Sequence, residues 1–467
     1  MSPVSPDLRT LAAVGLVYAT QLVAGWLVLG VLRPPQPDRA AWRDPRRWSR
    51  ALLLGPTLVA LQMLALDALG LRFRLGLIVL PWWIPALLAW GARSARRGPP
   101  VSWASAAPAL PVAARPALAL VLLLFGVALV AGLWMPVHTG DAMNQFALNA
   151  RVFETHGALA PDALRSLAIP GHVEYPPLVS LNEALLFLAG GPARALVIKP
   201  FFALAFLAWM LLVVEACFAL LPAGLATLLA LVALLAPAAA LSATEGYADL
   251  RLAATVLLLG LAGRALWLQP GRRRLLLFAL CAVACALTKL EGIAVGLAAA
   301  ALPALLAARR RLPAGETALV LLAMLALVLA WPVYAHVQGL GRTALVGEEW
   351  HDAGTALARL PGVLGTMLLM MVDIGITERH WGVFWLVTLA LALWALRRPE
   401  RRPAVSITLL VLAAHLLVYA AVLSLTPADL EWHVTTAAPR LLMHIAPWAL
   451  LAAALSQARP AGDAVRP

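Results

Sequence analysis

Charge is what this sequence has least of. Only 13% of its 467 residues are Asp, Glu, Lys or Arg, while 62% are hydrophobic and the mean hydropathy is +0.86. Soluble globular domains carry about 25% charged and about 45–50% apolar residues. A water-soluble multidomain enzyme is therefore excluded. So is a disordered chain, which needs low hydrophobicity. Cysteine is nearly absent as well. Cys217, Cys281 and Cys285 all lie in apolar runs, so there is no disulfide framework. Cys281 and Cys285 stand one helical turn apart and read as core thiols, because a zinc site needs about four ligands. No internal repeat is present, and no low-complexity linker beyond the Pro/Ala/Arg stretch 93–116. A cleavable leader is not expected, since Asp7 and Arg9 precede a long apolar run that reads as a retained helix.

What is there is apolar helix. Segments near 8–32, 51–70, 76–92, 117–136, 195–221, 224–242, 250–268, 274–290, 291–308, 316–335, 381–396, 404–424 and 438–456 approach the length of about 20 residues that a bilayer requires. The expected fold class is an all-α polytopic transmembrane helical bundle of about 11–13 spans. Two stretches are distinguished: extra helices at 1–92 and a main module at 117–456.

The net charge of +13 would suggest a nucleic-acid partner in a soluble chain. In a bilayer it points instead to arginine in cytoplasmic loops, and nucleic acid is not expected as a partner. Arginines crowd into 33–50, 93–115, 264–274, 309–311, 397–402 and the tail at Arg459 and Arg466. All fall on one side if the segment 175–190 does not cross the membrane. That segment is short and carries Asn182 and Glu183, so it is expected as a juxtamembrane helix on the outer surface. The stretch 137–194 then becomes one long outer loop, and long loops in compact folds are usually functional. Most acids and seven of the nine histidines sort to this outer side. Ionisable groups beside hydrocarbon are costly and generally have a reason.

Several groups there carry candidate chemistry. His138-Thr139-Gly140-Asp141 opens an amphipathic helix whose apolar face is expected at Met143, Phe146, Ala147, Ala150 and Phe153. Asp141 reads as an N-cap, as a general base at the membrane surface, or as both. Thr244-Glu245-Gly246-Tyr247-Ala248-Asp249-Leu250-Arg251 sets two acids four apart beside a base. Glu245 and Asp249 can bind a divalent cation such as Mg or Mn, orient a sugar, or pair with Arg251. In Thr288-Lys289-Leu290-Glu291-Gly292 the lysine either pairs with Glu291 or faces a phosphate. Arg440 snorkels to headgroups or grips a phosphate through its fork, with His433 upstream as a second donor. The loop 336–380 carries Glu348, Glu349, His351, Asp352, Glu378, Arg379 and His380, with a half-helix expected at 362–375.

Taken in order, these features resemble the GT-C superfamily of integral membrane glycosyltransferases. Relatives of that kind include the protein O-mannosyltransferases and the lipid A aminoarabinose transferases. The likeness covers about 117–456. It is carried by Gly140-Asp141 at the head of a long first outer loop, Tyr-Pro-Pro-Leu at 175–178, and Ala248-Asp249-Leu250. Thr288-Lys289-Leu290-Glu291-Gly292, His433 and Arg440 complete it. The resemblance implies an inverting transfer of a sugar from a polyprenyl-phosphate carrier to a lipid, glycan or protein hydroxyl. Asp141 would be the base. Arg440, His433, Lys289, Tyr175 and Arg251 would serve the donor phosphate or substrate, and Glu245 and Asp249 the second acidic loop. The sequence departs from the pattern at two places. Asp141 is followed by Ala142 rather than a second acid, and Tyr175 stands where a lysine often precedes the Pro-Pro pair. A lipid-linked glycan ligase or polymerase and a secondary transporter are the alternatives. The high Ala, Leu and Arg content suits a GC-rich bacterium. The expected location is therefore the inner membrane, with a periplasmic active face and a cytoplasmic C-terminus.

Overall fold

A computed structural model describes residues 7–32, 44–95, 111–135, 137, 139–167, 172–191, 194–340, 351–377, 380–426 and 429–456. His138, Glu348, Glu349, Glu378, Arg379, Arg459 and Arg466 lie outside them, as do the arginines at 33, 39, 43, 96 and 97. Among the described residues there is no strand. The N-terminal helices are α1 (Leu8–Leu32), α2 (Pro45–Ala68), α3 (Leu75–Ala95) and α4 (Arg115–Trp134). A π-helical stretch, Ala142–Ala147, follows. It leads into α5 (Leu148–His156), α6 (Pro161–Arg165), α7 (Leu178–Gly190) and α8 (Arg194–Val197). Next come α9 (Lys199–Leu220), α10 (Ala223–Leu234), α11 (Pro237–Glu245), α12 (Asp249–Leu268) and α13 (Arg272–Thr288). The chain closes with α14 (Leu290–Ala299), α15 (Ala301–Ala308), α16 (Ala314–Val337), α17 (Ala353–Thr377), α18 (Phe384–Leu396), α19 (Arg402–Leu425) and α20 (Leu430–Leu455).

Among the described residues, nine helical segments are long and apolar enough to cross a membrane, and eleven if the bent pairs α10–α11 and α20 count as single spans. This is a multi-pass all-α bundle. The bundle formed by these segments has two ends. Side-chain contacts fix those ends. Arg50 at the start of α2 grips Glu215 near the end of α9. Arg311 donates to the Trp267 carbonyl, Arg272 pairs with Glu316, and Arg401 donates to the Ser456 carbonyl. Ala395, Val405 and Ala452 pack together, so α18, α19 and α20 share that end. The described arginine-rich turns therefore gather at one end of the bundle. The other end holds the turns 69–74, 139–147, 246–248 and 289, with Thr426 at the end of α19.

Two expectations of the sequence are corrected here. α7, expected as a juxtamembrane helix, does not lie on the outside of the protein. All but one of its residues are buried, and it packs on α1, α2 and α5. Apart from Ser180, Asn182 and Glu183 it is apolar, and without an exposed polar face it suits the interior of a bundle better than its surface. Its one amide, Asn182, is satisfied there: the side chain donates to the Pro56 and Leu178 carbonyls and accepts from Gln21. The half-helix expected at 362–375 is the second part of the 25-residue α17. That helix packs along α19 and α20, and the following α18 also packs on α20, with Ala395 at its end against Val405 and Ala452. Arg359 and Pro361 interrupt the hydrophobic run in sequence. In the fold Arg359 donates to the Thr426 carbonyl at the end of α19, and the helix continues past it. A single buried apolar cluster runs from Val14 to Ala454, so α1–α3 share one core with the helices that follow.

Candidate active site

The site is built where the first two outer loops meet. α11 ends at Gly246, whose φ of +87° is a left-handed conformation that favours glycine. A Cβ there would stand 3.2 Å from the Cβ of Ala142. The second loop thus lies directly against the first, and Thr139 Oγ1 donates to the Glu245 carbonyl. This contact sets Asp141 beside the start of α12. Asp141 is not an N-cap, because its side chain caps no amide and its backbone is already helical. The carboxylate turns instead to Arg440, which donates from Nη1 to Oδ2 at 2.5 Å.

The π-helical stretch changes which face is buried. A π-turn inserts an extra residue into the helical period and is frequent at functional sites. Gln145 and Asn149 are buried with Phe146, Ala150 and Phe153, while Met143, expected on the apolar face, is exposed.

Arg440 follows Pro439 at a 53° bend in α20. Its guanidinium lies 5.1 Å from the Tyr247 ring centroid, and its Nε is 3.9 Å from Asp249 Oδ1. Asp249 is the hub. It is 1% exposed and accepts from Lys289 Nζ at 2.7 Å, and His444 Nε2 lies 2.9 Å from the same oxygen. A carboxylate only accepts, so His444 turns its protonated nitrogen to Asp249. Its Nδ1 shares a hydrogen bond of 2.8 Å with the Tyr419 hydroxyl. Lys289 occupies the extended residue between α13 and α14 (φ −160°, ψ 159°) and also meets Glu291 at 3.3 Å. It is enclosed by carboxylates rather than facing outward. Gly292 makes that break possible, since a Cβ there would stand 1.9 Å from the Cys285 carbonyl oxygen.

The network has a reachable part and a buried part. The side chains of Asp141 and Arg440 are 27% and 26% exposed, whereas Lys289 and Asp249 are almost fully enclosed. Around the reachable pair stand groups from the long first loop. His172 pairs with Glu174 at 3.0 Å, and its ring lies 4.9 Å from that of Tyr175 with the planes tilted by 55°. The hydrogen bond to Glu174 raises the His172 pKa, against the opposing effect of partial burial. Burial holds the Tyr175 phenol well above its ordinary value, and Tyr175 lies in electrostatic reach of Asp141 and Arg440. His433 is in reach of Arg440 and His172, and its Nδ1 is buried without a hydrogen-bond partner.

Asp141, Asp249, Lys289, Arg440, Tyr175 and His433 are therefore brought together. Arg251 is not. It points to the opposite face of α12, where it donates to the Leu53 carbonyl, so the expected pairing with Asp249 does not form. Glu245 and Asp249 do not assemble a metal site. No group of three His, Cys, Asp or Glu side chains converges among the described residues. One oxygen of Asp249 is already held by Lys289 and His444 with Arg440 near, so a divalent cation there would meet positive charge. Sequence reasoning missed His444 and Tyr419. The available signal was spacing, because His444 falls one turn after Arg440 on the same helix.

The chain matches no family model, no curated protein and no solved structure.

Proposed function

We propose that the protein is a membrane glycosyltransferase of the GT-C type. In this reading it moves a sugar from a polyprenyl-phosphate carrier to an acceptor hydroxyl with inversion. The observation that carries it is the partly exposed Asp141–Arg440 pair, held at the non-arginine end over a buried Asp249–Lys289–His444 cluster. It joins a proton acceptor to an anion ligand at one place. In the free protein each neutralises the other. A donor phosphate competes for Arg440 and frees the Asp141 carboxylate. Asp141 then takes the acceptor's hydroxyl proton while that oxygen bonds to the anomeric carbon. The carbon–oxygen bond to the carrier phosphate breaks, and its electron pair stays on the phosphate. Arg440 meets the charge that develops there, the kind of stabilisation worth roughly 10²–10³ in rate per donor. Lys289 and Asp249 position Arg440, and Tyr175, His172 and His433 wall the site. No step uses a metal. The arginine-rich end is assigned to the cytoplasm and the site to the periplasmic face of a bacterial inner membrane.

The buried Asp249–His444–Tyr419 chain also suits a proton-coupled transporter. Against that reading, these groups cluster at one end. Another buried ion pair, Arg50–Glu215, belongs to the other end.

Mass spectrometry of cell-envelope glycans with and without the chain tests the proposal. Loss of a single sugar is expected in its absence, with rescue by the native chain and not by Asp141→Asn at equal membrane abundance. Full rescue by Asp141→Asn overturns the assignment. Release of a polyprenyl diphosphate instead of a monophosphate identifies the ligase alternative.

A further inference from the structure

α12 opens with two charged side chains on opposite faces. Asp249 turns to α13 and α20, and Arg251 turns to α1, α2 and α9. Arg251 is 1% exposed. Its Nη2 donates to the Leu53 carbonyl at 2.6 Å, and its guanidinium lies 5.0 Å from the Phe201 ring centroid. Among the described residues no carboxylate stands within ion-pair distance of it, and its buried Nε has no hydrogen-bond partner. A guanidinium stays protonated inside a protein, so titration does not discharge it. A carbonyl and a ring face ease the charge without balancing it. An unbalanced charge among apolar helices is strongly unfavourable.

Beside the guanidinium is a cavity lined by Tyr18, Gln21, Pro56, Phe201 and Leu204 together with Arg251. The space open to the centre of a water-sized sphere is about 10 Å³. That is close to what a single water requires. The polar neighbours are already engaged. The Tyr18 hydroxyl donates to the Val197 carbonyl, and the Gln21 amide donates to Asn182. Arg251 alone supplies an unused donor and an unused charge. A phosphate or a lipid headgroup exceeds this volume, which removes Arg251 from any role at the donor phosphate. A water fits but leaves the charge uncompensated.

We propose that this cavity binds one monatomic anion, chloride under ordinary conditions, as the counter-ion of Arg251. The ion ties α12 to α1, α2 and α9 inside the bundle. The assignment is independent of the transferase reading.

The test uses the full chain in detergent, exchanged into sodium gluconate. Equilibrium dialysis against radioactive chloride is expected to retain one ion per chain, displaced by bromide and not by gluconate. The thermal midpoint is expected to be higher in chloride than in gluconate at equal ionic strength. Arg251→Gln should lose both effects. Leu204→Trp, which fills the cavity and keeps the arginine, should lose the retained ion. No retained chloride and equal midpoints in native protein would mean that the cavity holds water only, and the proposal falls. Retention by Arg251→Gln or by Leu204→Trp overturns it as well.

Discussion

At the residue scale, the Asp249–Lys289 pair has more to lose than to give. Both groups are withdrawn from water, and their attraction offsets a large desolvation cost only while both are present. Removing one partner strands the other. Asp249→Asn and Lys289→Met should each destabilise the folded protein by about 3–5 kcal/mol. The double variant should lose clearly less than the sum of the two. Midpoints of unfolding in detergent, taken as a double-mutant cycle, check this, and strict additivity would show that the two residues act separately. The same burial explains what the sequence revealed at this scale. Asp141, Asp249, Lys289 and Arg440 stood out because each interrupts an apolar run. His444 did not, because it looks like one polar letter inside a helix. Its role comes from Asp249, which is distant in sequence and 2.9 Å away in space. The Asp141–Arg440 contact spans 299 positions, and no local pattern encodes a pairing of that range.

At the scale of elements, backbone proximity decides where helices settle. α1 and α2 cross so closely that a Cβ on Gly55 would stand 1.7 Å from the Gln21 carbonyl oxygen, and one on Gly25 would stand 2.5 Å from that of Ala51. Small residues permit such contact between membrane helices. Gly55→Ala must push α1 off α2 and disturb Gln21, which holds Asn182 of α7. A loss of about 1–3 kcal/mol is expected from this overpacking. Gly15→Ala, on the exposed side of α1 with nothing within 4 Å, should leave stability unchanged or slightly raised. Comparing the two thermal midpoints separates packing from helix propensity. Hydropathy located the long helices well, since their apolar runs fill a bilayer. It did not reveal the burial of α7 or the full length of α17. α7 is too short to span and is buried by its neighbours. α17 continues as one helix past Arg359, because the end of α19 offers that side chain a carbonyl.

At the scale of the molecule, the distribution of charge becomes a statement about topology. The side-chain contacts place the described arginine-rich turns at one end and the Asp141–Arg440 pair at the other. If the positive-inside bias holds, the first end is cytoplasmic. The side on which the turn after α18 lies depends on α17 and α18. If they form one pass, the turn with Glu400 shares the cytoplasmic side with Arg273. If each crossed alone, Glu400 would lie outside. Cysteine labelling decides between these. The native Cys217, Cys281 and Cys285 are all buried and should stay silent toward a membrane-impermeant maleimide. Ser166→Cys, exposed in the first outer loop, should label in intact spheroplasts. Arg273→Cys and Glu400→Cys, both at exposed positions, should label only after the membrane is opened. Labelling of Glu400→Cys alone in intact spheroplasts would split α17 and α18 into two spans. Labelling of Arg273→Cys there, with protection of Ser166→Cys, would invert the whole bundle. The Asp141 site would then face the cytoplasm, where its donor and acceptor would have to be sought.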